Sequence, residues 1–442
     1  MLNTLAHRKV FNLAIPMLLS SISVPLFGLV DTAILGHLDT PDYLAAVAVG
    51  ASVVSFLLWA FGFLRMGTTS LAARAFGANE LEKLKLLLGQ SLVLALGIGL
   101  LIVLLSPLLV PLAVNLMQSD QALGDLSKEY IHIRLLAAPA VLLSYGIIGW
   151  FIGLQNTRVP LYMAISANAV NIVGDVILVL WLDMGSRGAA IASLFGDLTN
   201  LSIGLYFCIR QLQQHFPAGG FTLAALAQAG PYKELLQVNK HLFVRTLILL
   251  GSLSFFTAQG AAQGPLILAA NAILLQLVHL ASYALDGFAH ATEALVGKAV
   301  GQKSPELFKQ ACLSTGFWSV LVALFISALF YLAQSPLIAL FSDDTMLRQQ
   351  VAIYYPWVLL LPIVSATCYF LDGVFIGTAH TFDMEITMIL SSFGVFLPLW
   401  WLSQGYANHG LWLSFCAFNG ARGFFLALMF CYRQRNNWGM SK

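Results

Sequence analysis

Residues 10–36 read VFNLAIPMLLSSISVPLFGLVDTAILG, an apolar run of 27 residues whose single ionisable group is Asp31. About 20 apolar residues suffice for a helix to cross a bilayer, so the run is long enough to span one. A carboxylate inside such a span is costly and usually marks a path for ions or substrate; the bland alternative is an acid hydrated one turn from the water. Pro16 and Pro25 lie in the same run, and each removes a helix hydrogen bond and crowds the carbonyl four residues back, on Asn12 and Ser21. The stretch reads as a bendable transmembrane helix carrying a titratable acid.

The rest of the chain agrees. Of its 442 residues, 59% are hydrophobic and 10% charged, against roughly 25% charged in soluble domains. An all-α polytopic membrane protein is expected, and the net charge of +2 gives no reason to expect nucleic-acid binding. The five cysteines are scattered, with no CxxC or Cys/His spacing, and read as packing residues; no metal and no cofactor is expected. His7-Arg8-Lys9 precede a first span far longer than the apolar core of a signal peptide, so that span should be retained.

Runs of spanning length fall at about 10–36, 43–72, 86–118, 130–154, 160–182 and 188–210, then at 242–260, 266–297, 311–333, 351–378, 384–403 and 407–432, which predicts twelve helices. With both termini inside, fifteen basic residues fall in the inner connections and termini, while the outer ones hold four, Lys128, Arg134, Arg187 and Arg348. The excess of inner charge sets the orientation, with both termini cytoplasmic.

The chain also repeats. Gly36, Pro41, Ala45, Gly77, Tyr130 and Gly153 recur 224 residues later as Gly260, Pro265, Ala269, Gly301, Tyr354 and Gly377. Each half has an even number of spans, so the copies share an orientation and should be related by an axis along the membrane normal. Two six-helix lobes are expected, 1–210 and 241–442, joined by a cytoplasmic segment at 211–240, with substrate held in the cleft between them.

Polar residues present in one copy alone are better candidates for chemistry than for scaffold. At the repeat offset Asp31 corresponds to Phe255, and Asp175 to an apolar residue near Leu397 or Leu399. Asn168, Asn171 and Asp175 fall on one stripe of the fifth span, and Ser193, Asp197 and Asn200 on one stripe of the sixth. If these faces converge with that of Asp31, the first lobe holds a polar cavity whose carboxylates want a cation; the plainer reading is amides that glue helices together. On the eighth span Gln276, His279, Ser282, Asp286, His290 and Glu293 lie near one face. That face is read either as lining the cleft or a water path, or as an internal acid/His network. Asp372 and Arg422 are further in-span charges whose signs suit a pair. No phosphate-binding glycine loop, HExxH or GxSxG occurs, so no enzyme is expected and an ion gradient must supply the energy.

These features together resemble the multidrug and toxic compound extrusion family, in its DinF-like branch. The resemblance covers nearly all twelve spans and rests on Ala14-Ile15-Pro16 through Val30-Asp31-Thr32-Ala33-Ile34-Leu35-Gly36, the Gly77 turn, Gly153-Leu154-Gln155-Asn156-Thr157-Arg158 with its copy at Gly377, and the Asn171/Asp175 pair. It implies a monomeric exporter of amphipathic, often cationic compounds in exchange for protons or sodium ions. The coupling roles carry over to Asp31, Asn171 and Asp175, less securely to Ser193, and the bend to Pro16. Branches that place an acid on the seventh span differ from this chain, which has none between Leu242 and Gly260. That departure favours protons. Expected alternatives are a sodium-coupled drug antiporter and a lipid-linked oligosaccharide flippase of the same superfamily.

Overall fold

A bilayer core offers no water to backbone N–H and C=O groups, so a chain this apolar must close its hydrogen bonds inside helices or a sealed barrel. The structure, a computed structural model, describes residues 4–36, 41–116, 121–215, 229–435 and Trp438, and among them every regular element is a helix. The side chains of Pro25 and Asp31, within the first helix, lie outside the described residues.

Among the described residues ten helices are long and apolar enough to cross a membrane, and Leu123–Leu136 with Ala138–Gly153, bent by 46°, form an eleventh span. Pro139, at the start of the second piece, is suited to open a new helix there. The first helix, Thr4–Gly36, runs unbroken through Pro16 and Pro25, and the ten to eleven candidate spans among the described residues are roughly consistent with the expected twelve.

The chain clusters into two compact units, Leu19–Leu236 and Met1–Leu18 with Gln237–Lys442. The first boundary falls two residues beyond Pro16, inside the first helix. In the unit of Leu19–Leu236, Phe63–Gly77 and Leu81–Leu116 pack on Ala138–Gly153, and Arg158–Asp175 packs along Gly185–His215. Trp150 is fully buried and donates from Nε1 to the Leu84 carbonyl at 3.0 Å. In the other unit Pro265–Gly301 packs along Thr345–Gly377, which also holds Ala407–Arg435. Its core centres on Phe256, Tyr355, Trp412 and Phe418, and the Trp412 Nε1 donates to Asn271 Oδ1 at 2.9 Å.

The repeat seen in sequence is a repeat of packing. A Cβ on Gly149 would stand 2.4 Å from the Arg65 carbonyl oxygen, and one on Gly373 2.6 Å from that of Ala289. Both pairs obey the 224-residue offset. Small residues let membrane helices approach backbone to backbone, and here they do so at the same place in each unit. Left-handed turn residues match as well: Asn79 (φ 60°) with Lys303 (51°), Gln155 (61°) with Ala379 (59°), and Asp183 (52°) with Ala407 (49°).

Candidate functional site

The Asn171/Asp175 stripe is held by small residues at a helix crossing. A Cβ on Gly174 would lie 2.9 Å from the Ala192 Cβ, and one on Gly196 would lie 3.0 Å from the Ala167 carbonyl oxygen, so Arg158–Asp175 and Gly185–His215 are in near contact. Asn171 Nδ2 thereby donates to Ser193 Oγ at 3.2 Å. One turn earlier, Asn168 Nδ2 donates to Ser23 Oγ at 3.1 Å, tying the fifth span to the first helix two turns before Asp31. Asp175 is 1% exposed and closes the α-helix. A π-helical segment, Val176–Trp181, follows it directly. Such widened turns recur at functional sites. The fifth span thus meets the sixth through Asn171 and Ser193, as the stripes suggested, and the first helix through Ser23, with a buried carboxylate one turn beyond the amide.

Asp197 and Asn200 are placed differently from that set. Asp197 pairs with Arg134 of the helix Gln121–Leu136. Arg134 is also hydrogen-bonded to Tyr130. Sequence reasoning counted Arg134 among outer connections, although it lies four residues inside the apolar run beginning at 130; that position was the available signal. Asn200 is half-buried on the same helix as Asp197.

In the other unit one in-span acid, Asp372, is paired with arginines. Asp372 Oδ2 accepts from Arg245 and, at 2.9 Å, from Arg422. Arg422 also donates to Asn419 Oδ1 at 3.1 Å and lies 5.7 Å from the Phe418 ring centroid. All three charged residues are at most 8% exposed. The sequence suggested the Asp372–Arg422 pair by sign; Arg245 is the partner it missed. On the eighth span, Pro265–Gly301, His290 Nδ1 and Glu293 Oε1 are 3.2 Å apart and buried. Ser282 Oγ accepts from the Tyr369 hydroxyl at 2.7 Å. His279 and Asp286 are half-buried, and Gln276 is exposed.

Set beside known proteins, the chain matches the MatE family model over residues 16–177 and 242–402. It is 38% identical over 440 residues to the DNA damage-inducible protein F of Escherichia coli, covering 98% of this chain and 94% of that one. It is 24% identical to the probable multidrug resistance protein NorM of Thermotoga maritima, over 93% of this chain and 89% of that one. Among solved structures, a Vibrio cholerae MATE transporter superposes with a TM-score of 0.88 at 21% identity, covering 98% and 99% of the two chains. A MOP superfamily transporter from Pyrococcus furiosus does so with 0.87 at 20% identity, covering 99% and 97%. The helical fold is therefore that of known transporter structures, and the chain belongs to the MatE family of multidrug efflux transporters.

Proposed function

We propose that the protein exports amphipathic and cationic compounds in exchange for protons, with the exchange made at Asp31 and Asp175 in the first lobe. The observation that carries this reading is the placement of Asp175: 1% exposed, one turn from the Asn171–Ser193 hydrogen bond, and at the edge of a π-helical segment. Two carboxylates in a partly dry cavity resist being charged together, from desolvation and mutual repulsion. Deprotonated, the site favours an open cavity that admits a cationic compound. Protonation from outside removes the charge, lets the amides re-pair and bends the first helix at Pro16 or Pro25, which expels the compound. One proton moving down about 100 mV and one pH unit releases about 3.7 kcal/mol, enough for a gradient of several hundredfold.

Sodium has a weaker claim on the second lobe, because Asp372 is already shared by two guanidinium groups. A relative 24% identical to this chain is named a probable multidrug resistance protein, which supports the substrate class. In this reading the lobes are 1–210 and 241–442, joined by a segment at 211–240. The protein works as a monomer in a bacterial inner membrane with both termini in the cytoplasm.

The test is efflux of a fluorescent organic cation from everted vesicles, wild type against Asp31→Asn, under a pH gradient and separately under a sodium gradient. Transport driven by the pH gradient and lost in the variant is the expected result. Sodium-driven transport indifferent to Asp31 would overturn the assignment.

A further inference from the structure

Building on the proton-coupled reading, we propose that Asp286 is a second proton-binding carboxylate, the centre of a titratable path along the eighth span from His279 to Glu293. The residues are His279, Tyr283, Asp286, His290 and Glu293, whose spacings of four, three, four and three keep them on one helical face. At 1.5 Å per residue no axial step exceeds about 6 Å, a gap that one bridging water can cover. The last step is direct, since His290 Nδ1 and Glu293 Oε1 are 3.2 Å apart. Beside the middle step the Tyr369 hydroxyl donates to Ser282 at 2.7 Å, adding a second hydroxyl to the face. End to end the path covers about 21 Å, some two-thirds of a hydrocarbon core.

Scaffold does not require these groups. At the 224-residue offset the first copy has Ser55, Trp59, Gly62, Met66 and Thr69, none of which ionises near neutral pH. Yet the neighbouring helix contact is the same in both copies, at Gly149 on Arg65 and Gly373 on Ala289. The titratable face was added to a packing unit that closes without it.

The surroundings give Asp286 something to control. Arg245 and Arg422 share the single carboxylate of Asp372, and Arg422, 5% exposed, keeps a buried Nε without a hydrogen-bond partner among the described residues. Taken alone, that trio carries one excess positive charge. Asp286 is close enough to act electrostatically on Cys368, a fully buried side chain that also feels Arg245, Asp372 and Arg422. Asp286 acts on Tyr283 of its own helix and on Cys368 and Tyr369 of the tenth span, and the same Cys368 feels Asp372 of the tenth span, Arg245 of the seventh and Arg422 of the twelfth. Lys298 and Lys9 act on one another beyond Glu293, toward the end of the eighth span. Counted with the trio through their shared neighbour Cys368, an ionised Asp286 balances the excess charge, and a protonated one leaves it positive. A proton arriving on Asp286 therefore alters the force between the eighth span and the three other helices that bear the cluster.

The test is purified protein in proteoliposomes with an internal pH dye and ethidium as the transported cation. Wild type is expected to move protons when ethidium is added. Asp286→Asn should lose that flux while still binding ethidium, and Asp286→Glu should restore it with a shifted pH midpoint. Wild-type flux and pH profile in a folded Asp286→Asn protein, with flux still lost in Asp175→Asn, would overturn the second path and leave the first-lobe reading intact. Loss of flux and ethidium binding together, restored by Asp286→Glu at an unchanged pH midpoint, would mark a purely structural acid and also overturn it. If Asp286→Asn does not fold, Glu293→Gln is judged by the same criteria. Absence of any ethidium-dependent proton flux in wild type would remove the proton-coupled reading itself.

Discussion

The two halves of this chain share a packing plan and fill it with opposite chemistry. In the first, the fifth span meets the first helix through a hydrogen bond between Asn168 and Ser23, with Asp175 buried farther along the same stripe. In the second, the equivalent position of Asp31 is Phe255, which stands edge-on to Phe396 and Trp400 with ring centroids 5.7 and 4.9 Å away. Of the second half's in-span acids, Asp372 is held between two guanidinium groups. Asp372 thus faces two arginines, whereas Asp175 lies one turn from an amide–hydroxyl pair.

The sharpest way to break this comparison is to neutralise one acid in each half. Asp175→Asn should abolish proton-driven efflux while leaving the melting midpoint in detergent near that of wild type. Asp372→Asn should do the reverse. Removing one partner of a buried ion pair costs about 3–5 kcal/mol, so this variant should lose monodisperse protein on size exclusion and melt earlier. If Asp372→Asn is stable and uncoupled while Asp175→Asn unfolds, the roles given to the halves are exchanged.

The shared frame has its own test. Gly149→Ala and Gly373→Ala each push a methyl into a carbonyl oxygen of the neighbouring helix, an overpacking worth about 1–3 kcal/mol. The two losses of thermal stability should be of similar size, and a large inequality would show that the packing is not equivalent. The smallest expected effect is a gain. Ala379 has a φ of 59° and Gln155 one of 61°, a region that costs a side chain about 1 kcal/mol. Ala379→Gly and Gln155→Gly should each raise the melting midpoint slightly and equally.

The spans and the repeat were legible in the sequence, because a bilayer forces one solution on the backbone: each apolar run of sufficient length becomes a helix that satisfies its own hydrogen bonds. The candidate stripe Asn168, Asn171, Asp175 was legible for a related reason, since helical periodicity places such residues on one face whatever surrounds them. Which stripe meets which was beyond the sequence. Asp197 and Arg134 are 63 residues apart, Arg245 and Asp372 127, and Arg422 and Asp372 50. Their meeting depends on how each helix is rotated about its axis, which is settled by close contacts such as Gly174 on Ala192 rather than by local pattern. Sequence alone therefore determined that this chain is a duplicated bundle of membrane helices with acids in its spans. Only the tertiary structure decided which acids meet an arginine and which amides meet a hydroxyl, because pairing between helices is a property of their packing.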